Sequence, residues 1–298
     1  DAWQFKSRFQ SLAGLKITQT HLSQQKAVSD FSRWYLGATL YHYQDDELSF
    51  LNLNETEQQL SLGFSIHERR NFLAGELWLR QLLDRDRLGA KFEWRRSYQY
   101  GFSSQLVSRI NEPANETPLL NVIGERSGLS ASVAWLTAKY WQNSVNTSFY
   151  QYHDIDDNAQ GKSQLWDLIS EFQPWRSRLA PGLRLQASYA NFYDQQGLAL
   201  KFANISRLPA NAKVLPNDYV QLQASVLLGQ KDLHIRAHRL HAWGEVGILN
   251  NSEFGQGYSA TMGVEGTLLG RDEWQLLLEK SFNQGGIKDA SYAIEFNY

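Results

Sequence analysis

Taken two residues at a time, the chain separates into an apolar and a polar set, most regularly toward its C-terminus. Tyr292, Ile294, Phe296 and Tyr298 fall on one side of the last segment, and Ser291, Ala293, Glu295 and Asn297 on the other. The segment before it sets Trp274, Leu276, Leu278 and Phe282 against Gln275, Glu279 and Ser281. The one before that sets Tyr258, Ala260, Met262, Val264 and Leu268 against Ser259, Thr261, Glu265 and Thr267. A period of two is the signature of a strand with two unlike faces, and the breaks Gly270–Glu273 and Asn283–Gly286 carry turn residues. Upstream, Val220, Leu222, Ala224, Val226 and Leu228 repeat the pattern, as do Leu183, Leu185, Ala187 and Tyr189. So do Trp166, Leu168 and Phe172; Leu73, Leu77, Leu79 and Leu83; and Leu60, Leu62, Phe64 and Ile66. Further alternating runs lie near 12–22, 31–43, 88–102, 127–140, 142–153 and 232–243, with weaker ones at 3–9 and 198–207. Helical periodicity and paired helix caps are nearly absent.

These runs predict about sixteen strands, at roughly 18–19 residues per strand and connection, the economy of a membrane barrel with an even strand number. A soluble β-sandwich also alternates. Three features favour a barrel in lipid: apolar faces four or five positions long, aromatics near the ends of runs (Trp274 and Phe282, Tyr292 and Tyr298), and charges in mid-strand on the opposite face. The expected fold is therefore all-β, a transmembrane antiparallel up-and-down barrel forming one domain over 1–298. Its first partner is the lipid bilayer. Longer breaks at about 208–218 and 244–256 are expected to be loops, as is 112–125.

Composition agrees without deciding. The 298 residues hold 29 Lys+Arg against 31 Asp+Glu, no Cys and one Met, with 10 Trp, 14 Tyr and 15 Phe. Near-neutral charge gives no electrostatic footprint for nucleic acid. The absence of cysteine excludes disulfides, thiolate metal sites and thiol catalysis. No apolar run approaches a transmembrane helix, and the mean hydropathy of −0.47 is what a lipid-facing outside and a wet inside average to.

No motif supplies a catalytic residue, a metal site or a cofactor cradle. Asp154-Ile155-Asp156-Asp157-Asn158 starts like a calcium loop, but Ala159 and Leu165 stand where glycine and glutamate are needed, so it is expected to be a solvated acidic turn. Gly255-Gln256-Gly257-Tyr258-Ser259-Ala260 leads into a strand, which leaves no helix N-terminus for a pyrophosphate. His234 and His238 share a strand face about 13 Å apart, too far to share one ion. Parity assigns a lumen lining instead: Glu76, Trp78, Arg80, Glu93, Arg95, Asp167, Glu171, Arg184, His234, Arg236, Glu265, Glu279 and Glu295. Such a wall selects solutes in a pore. Trp78, between Glu76 and Arg80, suits stacking on sugar rings or plain filling of the interior.

The aromatic-terminated last strand, Tyr292, Ile294, Phe296 and Tyr298, resembles the C-terminal signal by which bacterial outer-membrane proteins are read by the barrel-assembly machinery. With the length, the strand count and a start at Asp1 without a signal sequence, the chain resembles the barrel domains of PelB-type exopolysaccharide-export porins and, more distantly, those of the PgaA type. The resemblance implies the C-terminal part of a longer chain, preceded by periplasmic tetratricopeptide repeats. It also implies a bacterial outer-membrane location, a periplasmic C-terminus, and passive export of a cationic, Pel-like polysaccharide into the biofilm matrix. A lipoprotein at the periplasmic mouth belongs to the same expectation. Three other readings stay open at this point: a general or sugar-specific diffusion porin, an outer-membrane lipid hydrolase, and a soluble all-β carbohydrate-binding domain.

Overall fold

In the computed structural model the chain forms one closed antiparallel barrel of 16 strands, each hydrogen-bonded to its sequence neighbours, with the first and last strands sealing the ring. The structure describes residues 2–12, 15–45, 54–82, 85–114, 120, 124–154, 157–174, 181–195, 215–229, 241–266, 273–283 and 288–297. The strands are β1 Ala2–Leu12, β2 Leu15–Ser29, β3 Ser32–Asp45, β4 Asn54–Glu68, β5 Asn71–Leu82, β6 Arg85–Ser97, β7 Ser103–Pro113 and β8 Gly124–Ala138. They continue as β9 Trp141–Asp154, β10 Ala159–Phe172, β11 Pro181–Tyr193, β12 Tyr219–Leu228, β13 His241–Asn251, β14 Gly255–Gly266, β15 Glu273–Asn283 and β16 Lys288–Asn297. Closure runs from the pair Gln4 and Asn297 to the pair Leu12 and Asp289. Even the 10-residue strands, at about 3.3 Å per residue and tilted by about 40°, span roughly 25 Å, the height of a membrane barrel's apolar band.

The two faces of each strand are chemically opposite. On β5, Leu77 and Leu79 are 55% and 48% exposed on the outside, whereas Trp78 and Arg80 between them are 5% and 2% exposed. In water an apolar belt of this extent, with Leu36, Leu60, Leu88, Val246 and Ile248 in the same class, is an aggregation surface; in lipid it is the solvated face. Aromatic pairs border the belt. Trp34 and Phe64, 5.7 Å apart, and Trp141 and Phe172, 5.8 Å apart, lie toward the rim that carries both chain ends; Tyr258 and Phe282, 5.6 Å apart, lie toward the other. We call these the terminal and distal rims.

Two boundaries differ from the periodicity. The strand β7 was hidden, because Ser104 and Ser108 interrupt its outer face and a register shift between Arg109 and Glu112, with Asn111 at φ 51°, resets its parity. The 198–207 run lies outside the described residues, and the 16 described strands include β7, which the periodicity lacks. The stretch 244–256 is not a loop: β13 occupies most of it and a short turn leads to β14. Its glycines Gly244 and Gly247 dilute the alternation. The expected strand 232–243 reaches the described residues only at its last three positions, 241–243. Tyr292 sits within β16, stacked on Phe9 of β1, and not at a rim.

Where an added Cβ would strike the backbone of the next strand, glycine is obligatory. A Cβ on Gly128 of β8 would meet the Phe149 carbonyl oxygen of β9 and lie 2.9 Å from Tyr150 Cα, both backbone atoms. Gly128→Ala is therefore expected to cost roughly 1–3 kcal/mol or more, read as a lower urea midpoint for loss of the compact, heat-modifiable band on gels.

Candidate functional site

The lumen is built from the inward positions of all 16 strands, and it is not uniform along its axis. Among the described residues, the largest fully buried side chains are Tyr43, Tyr152, Leu15, Leu120, Leu215, Glu57 and Ser163. Every one lies toward the distal rim: at the start of β2, the end of β3, the start of β4, the end of β9, the start of β10, or on a distal connection. Inward side chains of the terminal half are wetter, with Arg184 at 33%, Glu171 at 31% and Glu279 at 41% side-chain exposure. The interior is thus a polar vestibule at the terminal end that runs into a packed constriction.

Ion pairs that bypass neighbouring strands hold the constriction. The Arg80 guanidinium donates to Glu57 of β4 through Nε at 2.6 Å and Nη2 at 3.0 Å, and through Nη1 to Glu125 of β8 at 3.2 Å. The Tyr43 hydroxyl of β3 donates to the same Glu57 carboxylate at 3.0 Å. Between β5 and β8 stand two strands, so the Arg80–Glu125 pair closes three inter-strand steps, roughly 14 Å of wall, as a chord through the lumen. Arg87 of β6 adds a second chord. It donates to Asp157 beyond β9 at 2.7 Å and to the Asp154 backbone oxygen at 3.2 Å, with Glu125 at 3.8 Å. Below them Trp78 packs over Gly89 of β6, where a Cβ would strike its indole, and its indole Nε1 has no hydrogen-bond partner among the described residues. Buried this deeply it fills the wall and offers no open ring face to a sugar.

In the vestibule the pairs are looser. Arg184 reaches Glu171 at 2.9 Å and, across β12, Glu245 of β13. Arg8 of β1 approaches Glu279 of β15 at 3.6 Å, and Lys6 approaches Glu295 at 3.5 Å. Glu93 holds Lys91 at 3.5 Å, Arg95 at 2.9 Å and Gln105 at 2.8 Å. Asp167 accepts from Ser188 at 2.5 Å and Gln186 at 3.4 Å. A polar cavity of about 460 Å³ opens here between Glu171, Arg184, Trp243, Glu245 and Glu279. Among the described inward residues here, carboxylates lead in number, with Glu76, Glu93, Asp167, Glu171, Glu245, Glu265, Glu279 and Glu295 against Lys6, Arg8, Arg33, Lys91, Arg95 and Arg184.

The parity assignment thus places Glu76, Trp78, Arg80, Glu93, Arg95, Asp167, Glu171, Arg184, Glu265, Glu279 and Glu295 on inward faces. They are dispersed around the ring, and Arg80 alone among them lies in the constriction's ion-pair chords. His234 and Arg236 lie outside the described residues, as does Tyr298. Parity missed Glu57, Arg87, Glu112, Glu125, Arg126 and Glu245. Most of these stand at strand ends or beside the β7 register shift, where two-residue periodicity carries no signal. The Asp154 turn also departs from expectation. Its carboxylate is buried, not solvated, and accepts from the Asn158 backbone N–H at 2.9 Å, the Asn158 amide at 3.0 Å and the Gln160 amide at 3.0 Å.

Residues 1–298 match the family described as PelB, C-terminal beta barrel domain. No curated protein matches the chain. A solved structure described as a bacterial polysaccharide outer membrane secretin superposes with a TM-score of 0.71 at 10% identity, covering 100% of this chain and 98% of that one. CdiB from Acinetobacter baumannii superposes with a TM-score of 0.54 at 8% identity, covering 100% of this chain and 60% of that one. At such identities both report the fold, a closed outer-membrane barrel.

Proposed function

The chain belongs to the family of PelB C-terminal beta barrel domains, and on that premise we propose that this outer-membrane barrel is the pore through which an exopolysaccharide leaves the cell. The observation that carries the reading is the family match over the whole chain. The polar vestibule supports it, because a hydrated polymer needs a continuous path of hydrogen-bonding groups. In this role the barrel is a conduit and not an enzyme.

The finer reading has four parts. The terminal rim faces the periplasm and the distal rim the cell surface, so the wet vestibule receives the polymer. The polymer is cationic, a partly deacetylated amino-sugar chain of the Pel type, which the carboxylate excess of the vestibule suits. Periplasmic helical repeats precede the barrel in the full-length protein, and a lipoprotein docks at its periplasmic mouth. The alternating aromatic end, Tyr292 to Tyr298, is read by the barrel-assembly machinery.

Planar-bilayer recording tests the pore. The reconstituted full-length protein is expected to conduct weakly, with cations permeating more readily than anions, and to conduct strongly once the constriction is loosened. A folded protein that stays silent in both states would remove the pore reading, and an unconstricted trimer of high basal conductance would favour a diffusion porin. The upstream sequence is a second test, with helical repeats of about 34 residues expected.

A further inference from the structure

We propose that Arg80 is an exchangeable counter-cation that keeps the distal lumen shut, and that ammonium groups of the arriving polymer open it by taking its place on Glu57 and Glu125. This rests on the cationic-polymer reading above.

The geometry makes Arg80 the tether from β5 to β8, beside the Arg87 chord from β6. Glu57 on β4 and Glu125 on β8 are both buried, and the same guanidinium pairs with both. If Arg80 simply swung away, Glu57 would keep only the Tyr43 hydroxyl and Glu125 only the more distant Arg87 in a dry site, which is the costly way to break a buried pair. Exchange avoids that cost, because an incoming ammonium leaves each carboxylate paired. What is lost is the covalent link: Arg80 belongs to the wall and ties β5 to β8, whereas an ammonium on the polymer belongs to the moving chain. The displaced guanidinium turns back into the wet vestibule, where Glu76 stands two inward positions earlier on its own strand. A compact ammonium cannot reproduce the planar fork that Arg80 makes with Glu57 through Nε and Nη2. Each exchanged contact is therefore weaker and leaves again, as a translocation site requires. Carboxylates at Glu93 and Glu76 lie between the terminal mouth and the constriction and would hand a cation forward. Acetylated sugars carry no positive charge and cannot make the exchange, so Arg80 sets specificity as well as closure.

The test uses the full-length protein in planar bilayers, with a glucosamine hexamer or its fully N-acetylated counterpart on the terminal side. The amino hexamer is expected to raise the open fraction about tenfold, equivalent to about 1.4 kcal/mol, and the acetylated hexamer to leave it unchanged. Arg80→Gln, once shown to fold by heat-modifiable migration, should be open without any hexamer and gain nothing from it. Arg80→Lys, which keeps the charge but not the fork, should respond at lower hexamer concentration. If the amino hexamer blocks or does nothing to the wild-type protein while Arg80→Gln is open, exchange is wrong and the pore reading stands. If folded Arg80→Gln is as closed as wild type while the channel conducts otherwise, Arg80 is not the tether. Silence in every arm would remove the pore reading itself.

Discussion

Leu77→Arg is expected to lose about 2–4 kcal/mol of folding free energy in lipid vesicles, measured by urea titration of the heat-modifiable band. Leu77 lies midway along β5, 55% exposed, with its backbone paired to Leu62 on β4 and Ala90 on β6. In a water-soluble barrel, replacing an exposed leucine by arginine at such a position would change stability by no more than about 0.5 kcal/mol. The cost arises because the guanidinium must be buried in hydrocarbon or must drag water toward the midplane. Depth supplies the internal control. Ile66→Arg, on the same outer surface but next to the terminal rim of β4, is expected to cost only about 0–1 kcal/mol. Equal, small effects at both positions would contradict a lipid-facing belt.

The belt was legible in the sequence because lipid outside and water inside force neighbouring residues to opposite chemistry. It failed where that contrast fails. On β7 the outward Ser104 and Ser108 alternate with Leu106 and Ile110, and the register shift after Arg109 reverses the parity. The periodicity therefore ended its strand at 102. Toward the distal rim the inward residues Leu15, Ile17, Tyr43 and Tyr152 are apolar or aromatic and buried, so a rule that sends polar residues inward has no purchase there. Those residues are the constriction. Parity can say that Arg80 points inward, but the chord that pairs it with Glu125 joins strands three steps apart, and only ring closure brings them within reach. For the same reason Glu245 was invisible as a partner of Arg184, since the pair skips a strand.

Glu57→Gln is expected to destabilise the barrel by about 3–5 kcal/mol, because it leaves a buried guanidinium short of charge. The Glu57 carboxylate is fully buried and accepts from the Tyr43 hydroxyl and twice from Arg80. In glutamine one of the two oxygens becomes an amide that can only donate, so one Arg80 N–H meets a donor, and Glu125 at 3.2 Å must carry the cation alone. A double-mutant cycle separates the pair's net worth from the penalty of breaking it. Arg80→Met combined with Glu57→Gln removes both charges of that pair at once and leaves Glu125 to Arg87, whose Nε lies 3.8 Å away, and buried pairs replaced together by neutral side chains of similar volume are often close to neutral in stability. The double variant is therefore expected to recover most of the urea midpoint lost by Glu57→Gln alone. It should nevertheless conduct more than wild type, since the chord from β5 to β8 is gone. Stability recovered without a rise in conductance would mean that the constriction is closed by apolar packing of Leu15, Tyr43, Leu120 and Leu215, with the ion pair only accompanying it.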